Sequence, residues 1–239
     1  MATSSAAPPA EPTGPAPFSR LGPAETSGES ASEPDGLVVS TPQDPAGRSN
    51  PDSGAPPILP EGKTYDEIKA FFVKTFKGMA RRAAQDGLTV VWEFEPGFII
   101  NEPKNIVDTV KAVNEPNFKL LFDTCHGYMS AVVGSRHIEE GMTLQSGLIE
   151  FIEMCKDLIG IVHVIDSDGT LNVTDTSTHA PFGLGVIDFD QAIPALLHKA
   201  NYQADWWAID LCECPDAWEA TADCKKFVDA FNEKFADKE

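Results

Sequence analysis

Residues 118–130 read FKLLFDTCHGYMS, and the fold turns on how this stretch is read. Phe118, Leu120, Leu121 and Phe122 make an apolar run of strand length that stops at Asp123. A carboxylate where a buried strand opens into a loop is costly unless something compensates it. His126 follows three residues later, so the strand delivers two polar groups of the kind that bind ligands or move protons.

Outward from this stretch, helix and strand signals alternate. Thr64-Tyr65-Asp66-Glu67 is a capping box, and Ile68, Phe71, Phe72, Phe76 and Met79 follow at helical spacing, with Gly87 as the stop. Residues 88–93 (LTVVWE) are apolar on both faces, the pattern of a parallel strand under helices. Helix signals then cover about 103–113, 144–158, 188–200 and 217–235. Strand signals cover 118–122, 160–165 and 206–211. Four strands alternating with helices predict an α/β fold with a parallel sheet and right-handed crossovers.

The segment before this body differs in kind. Residues 1–62 hold 13 of the 19 prolines and one aromatic, Phe18, so they cannot bury enough apolar surface to offset the entropy of ordering. They are expected to be a disordered tail, with residues 63–239 as the folded unit. The formal charge of −19 divides into −6 for the tail (8 acidic residues, 2 arginines) and −13 for the body. With the basic residues scattered, no stripe is present to attract a nucleic-acid backbone. No apolar run approaches the length of a membrane span, and the opening residues lack the features of a secretory signal. Five cysteines without scaffold density predict reduced thiols and a cytoplasmic protein.

In parallel α/β folds, ligands meet the carboxyl ends of the strands. Those ends carry Glu93, then Asp123 with His126, then His163 with Asp166, then Asp210. One such residue is bland, and His126, His163 and His179 taken singly read as ordinary core or loop histidines. Four matching ends are different, because crowded carboxylates repel one another unless a cation compensates. Several carboxylates and an imidazole suit Mn²⁺, Mg²⁺, Co²⁺ or Zn²⁺. Cys212 and Cys214, with no second pair or adjacent histidine, lack zinc spacing and read as structural.

The segments VVWEFEPG (90–97), LLFDTCHG (120–127), IVHVIDSDG (161–169), HAPFGLGVIDF (179–189) and WWAIDLCE (206–213) resemble, in order and spacing, the second half of a xylose isomerase-like TIM barrel. This sugar phosphate isomerase/epimerase superfamily includes ketose 3-epimerases, inosose dehydratases and endonuclease IV. The resemblance implies metal ligands at Glu93, Asp123, His163 and Asp210, with Asp210 standing where a glutamate is usual. Glu95 competes with Glu93 for the first place. It also implies that Glu93 and Asp210 exchange a proton with substrate, that His126 touches a substrate hydroxyl, and that Asp166 and His179 lie in substrate-facing loops.

The implied function is divalent-metal-dependent isomerisation, epimerisation or a related dehydration of a sugar or polyol-derived ketone. A full barrel needs eight strands, whereas the body supplies four. Either the chain is truncated or a second copy completes the barrel as a homodimer. The competing expectation is a non-catalytic half-barrel remnant or metal-binding interaction module. The endonuclease IV reading ranks below both, because that chemistry uses three zinc ions and more histidines.

Overall fold

The computed structural model describes residues 54–139, 142–204, 206–214 and 216–235. Most of the expected tail, 1–53, lies outside them. Helix α1 (Tyr65–Ala84) starts where the capping box places it: Thr64 Oγ1 accepts from the Glu67 amide while the Glu67 carboxylate accepts from the Thr64 amide. Past its end, Gly87 takes a positive φ of 70°, and Leu88 N–H donates back to Ala83 O. Strand β1 (Val90–Glu93), helix α2 (Pro103–Val113) and strand β2 (Phe118–Asp123) follow.

Here the first difference from the sequence reading appears. Asp123 opens into a helix, α3 (Thr124–Tyr128), which continues as a π-helical turn over Met129–Val133. Asp123 is the N-cap, its Oδ1 accepting from the His126 amide at 2.9 Å. That bond is one reason the two residues are spaced by three. The turn packs so closely that a Cβ on Gly127 would lie 2.9 Å from the Phe122 ring.

Helix α4 (Gly147–Met154) is shorter than the expected 144–158, because the chain turns at Cys155 and reaches a left-handed φ of 64° at Asp157. Strand β3 (Ile159–Val164) leads into an antiparallel hairpin, β4 (Asp166–Leu171) and β5 (Ser177–Ala180), which the sequence reading had treated as loop. Helix α5 (Phe189–Pro194) runs into a second π-helical turn, Ala195–Lys199, directly after Pro194. Strand β6 is only Ala208–Ile209, since it pairs on one side alone. Helix α6 (Ala217–Phe235) closes the order.

The main sheet is parallel, in the order β1-β2-β3-β6, and does not close. Phe118, Leu120 and Phe122 alternate toward the helices and are buried, as are Val162 and Val164 of β3. There Phe76 stacks on Phe118, and Phe94, Phe122 and Phe151 pack as a triad. The alternate residues, such as Val91, Lys119, Leu121 and Ile161, are half-buried on the opposite face. Apolar clefts adjoin both edges: one of about 280 Å³ includes Trp92 and Phe98, and one of about 360 Å³ includes Trp206, Trp207 and Phe235.

Pairing of β2 with β3 contains an irregularity. Leu120 lies opposite Ile159, but Leu121 lies opposite Ile161, so Gly160 is passed over and Asp123 arrives opposite His163. A Cβ on Gly160 would sit 2.7 Å from Lys119 Cβ, so the bulge needs a residue without a side chain.

Candidate metal centre

The register across β2 and β3 puts Asp123 beside His163, and the strands on either side contribute Glu93 and Asp210. One ligand atom from each of these four residues lies within 4.8 Å of the other three. His163 Nδ1 is 3.2 Å from Glu93 Oε1, 3.2 Å from Asp210 Oδ2 and 3.9 Å from Asp123 Oδ2. The two shorter contacts are close enough for hydrogen bonds but not aligned with the ring N–H, so His163 Nδ1 has no hydrogen-bond partner. Glu93 Oε1 and Asp123 Oδ2 are likewise buried without one. Oxygens fanned around a ring nitrogen, none in line with it, are arranged as ligands around a common centre.

The electrostatics point the same way. Asp123 is fully buried, and desolvation, reinforced by Asp210 and Glu93, pushes its carboxyl well above the usual range. The Asp210 and Glu93 carboxylates raise His163 to about 10. Asp210 itself is held down at about 2 by the His163 ring, with help from the Cys212 amide. Without a cation, the protonated His163 ring offsets part of the acidic charge. With one, the residues present fit it: three carboxylates and an imidazole supply the donors of a hard to borderline divalent ion.

A family model for the xylose isomerase-like TIM barrel matches residues 46–226. The chain belongs to this family. Among solved structures, the IolI protein, crystallised with a zinc atom, is similar at 25% identity and a TM-score of 0.56, over 75% of this chain and 62% of that one. A xylose isomerase domain protein from Planctomyces limnophilus is similar at 16% identity and a TM-score of 0.52, over 75% and 56%. D-psicose 3-epimerase, solved in the presence of D-fructose, is similar at 19% identity and a TM-score of 0.50, over 74% and 60%. The chain thus spans less than two thirds of the length of these relatives. A search of curated proteins returns no match. No described helix is long and apolar enough to cross a membrane.

The other residues expected at this family's site fall in different places. Glu95 lies beyond β1, outside the four-residue group, and its Oε2 accepts from Thr176 Oγ1 at 2.8 Å. Burial raises its carboxyl despite that bond. His126 is buried against the group, with Nδ1 2.8 Å from Ser177 Oγ. Burial, with the neighbouring His179, lowers it to about 3, so at neutral pH the ring is uncharged.

Asp166 does different work from that expected of a substrate-facing residue. Its Oδ1 accepts from the amides of Ser167 and Ile187, and its Oδ2 from those of Gly183 and Gly185. The carboxylate is the internal anchor of the 183–187 loop. His179, carried by the hairpin, stacks obliquely against His126 with ring centroids 5.0 Å apart. Sequence reading missed Thr124, whose hydroxyl accepts from Ile165 N–H and donates to Ile165 O, tying the ends of β2 and β3 together.

Proposed function

We propose that the chain is a divalent-metal-dependent isomerase or epimerase acting on a sugar or polyol-derived ketone by proton abstraction next to the carbonyl. The observation that carries this reading is the set of converging ligand atoms on Glu93, Asp123, His163 and Asp210, those of the first three buried without a hydrogen-bond partner. Family membership supports it, as does the zinc held by the IolI relative. A divalent ion bound by these four residues supplies the positive charge that polarises the carbonyl and acidifies the adjoining C–H.

This chain's own side chains do the rest. Glu93 and Asp210 reach the same point from opposite edges of the ligand group, so one removes the proton and the other returns it. Asp210 is ionised and so able to accept a proton, although the lowered pKa makes it a weaker base than an ordinary carboxylate. His126, kept neutral by burial, offers a donor or acceptor to a substrate hydroxyl without adding charge. Asp123 is sealed from solvent and holds position. Asp210 is one methylene shorter than the usual glutamate, so it would reach an ion only if that ion lay nearer β6, or would act on it through a water.

The test is exchange of substrate C–H for deuterium across a panel of ketoses with Mn²⁺ present. Exchange in the wild type that falls by about 10²–10⁴ in Asp210→Asn supports the reading. The open sheet favours a second reading, a metal-binding module without turnover. Stoichiometric metal with no exchange on any ketose would establish that one instead.

A further inference from the structure

The hydroxyl that meets His126 comes from the hairpin. Ser177 opens β5 and is 1% exposed, and its Oγ lies 2.8 Å from His126 Nδ1. The same hydroxyl faces the Cys125 thiol, as does that of Ser167, and the thiol donates to Thr178 O at 3.4 Å. Cys125 and His126 are neighbours on α3, as Ser177 and Thr178 are on β5, so these groups form one chain of contacts between the two elements. A neutral imidazole carries a single proton, on either nitrogen, and the chain decides which.

We infer that Ser177 is a positioning residue that fixes the tautomer of His126, holding the proton on Nδ1 and leaving Nε2 as an acceptor for a substrate hydroxyl. The inference rests on the proposed function for what Nε2 meets. The direction follows from the end of the chain. A carbonyl oxygen only accepts, so the bond to Thr178 O takes the Cys125 S–H. The sulfur, its one proton engaged, meets Ser177 only as an acceptor and takes the Ser177 O–H. The Ser177 oxygen in turn meets Nδ1 only as an acceptor, so Nδ1 bears the hydrogen. Reversing that last bond alone would set two lone pairs against each other at the buried contact with Cys125.

The other ring nitrogen is available. His126 Nε2 makes no hydrogen bond among the described residues and is not sealed as both His179 nitrogens are. The ring's titratable neighbours are His179, Asp210 and His163, so it borders the metal centre. Its backbone is held as well, through the amide bond to Asp123 Oδ1. With the proton on Nδ1, Nε2 presents a lone pair. It takes a substrate O–H and discriminates against a carbonyl or ether oxygen at the same position, which would bring a second lone pair. The opposite tautomer would accept all three.

Two-bond ¹H–¹⁵N spectra of the full chain, labelled at its five histidines, read the tautomer at pH 7 with Mg²⁺ present as a diamagnetic cation. The His126 signals, identified by their loss in His126→Gln, are expected to show Nδ1 protonated and Nε2 bare. Ser177→Ala should move the proton to Nε2. So should Cys125→Ala, which frees the Ser177 O–H to turn to the ring. Ser177→Thr keeps the hydroxyl and should keep the wild-type signature. In ketose exchange, Ser177→Ala should lower the rate about 3–10-fold, and Ser177→Thr should restore it. A wild-type His126 protonated on Nε2 overturns the inference, and a ring unchanged in Ser177→Ala removes Ser177 from the role. Failure to exchange any ketose defeats the proposed function instead, and the spectra still decide the tautomer. The wild-type spectrum needs no variant to fold.

Discussion

Replacing Asp123 by asparagine separates the residue's two jobs. Asparagine keeps the shape and the Oδ1 that caps α3 through the His126 amide, so the backbone turn survives. What disappears is a negative charge at a fully buried position whose Oδ2 has no hydrogen-bond partner. In the metal-free protein that loss is no penalty. A carboxyl whose folded pKa is raised, as burial raises this one, destabilises the fold increasingly as pH climbs above its unfolded value of about 3.9. With metal present the sign reverses. Changing even an outer partner of a ligand weakens metal binding by about 10–100-fold, so losing a ligand should cost at least about 100-fold. At a free metal concentration of about 100 times the wild-type Kd, binding adds about 2.7 kcal/mol to wild type and about 0.4 kcal/mol to the variant. The difference of about 2.3 kcal/mol corresponds to about 5–9 °C in Tm for a folded body of this size. Differential scanning calorimetry with and without Mn²⁺ reads it. If Asp123→Asn gains as many degrees from the metal as wild type, Asp123 is not a ligand and the reasoning fails.

Three further outcomes follow from the same structure. His163 is raised to about 10 by Asp210 and Glu93, so near pH 7 it is protonated in the metal-free protein and cation binding should expel about one proton from it. Titration calorimetry in buffers of different ionisation enthalpy measures that release, and apparent enthalpies that do not depend on the buffer would contradict it. By the same shift, the stabilisation His163 gives the metal-free fold is complete below about pH 6.5 and is lost as pH rises through about 10. Asp166→Asn turns an amide NH₂ toward two of the four backbone donors that now share its carboxylate. A loss of about 2–4 kcal/mol in urea unfolding is expected, and a variant as stable as wild type would show that the loop is anchored elsewhere.

The sequence was legible where local chemistry and tertiary structure agree. The Thr64 capping box, the Pro103 start of α2 and the long amphipathic α6 all fall where the pattern puts them, because each boundary is set by its own residues. The β4–β5 hairpin was not legible. Its residues DSDGTL and STHA carry no apolar alternation, and they are held by polar bonds to other elements, such as Ser177 to His126. Helix α3 was hidden for another reason: five residues containing Gly127 are too few to show a helical period. Parallel strands end at one side of a sheet, so Glu93, Asp123, His126, His163, Asp166 and Asp210 could be grouped from order, and the family resemblance singled out Glu93, Asp123, His163 and Asp210 among them. His179 could not be placed against Asp123 and Cys125 until the hairpin carrying it was seen to fold back over α3.

The skipped residue at Gly160 gives the metal centre a dependence on one misaligned peptide. Had β2 and β3 run on in phase from Leu120 and Ile159, Asp123 would face Val162, whose side chain belongs to the helix-covered core. A cation bound at the proposed site would therefore reward one alignment of the two strands over its neighbour by the whole of its binding energy. An ion bound there would select between the two pairings, and Gly160, the residue of β3 without a side chain, is what lets the metal-competent pairing form.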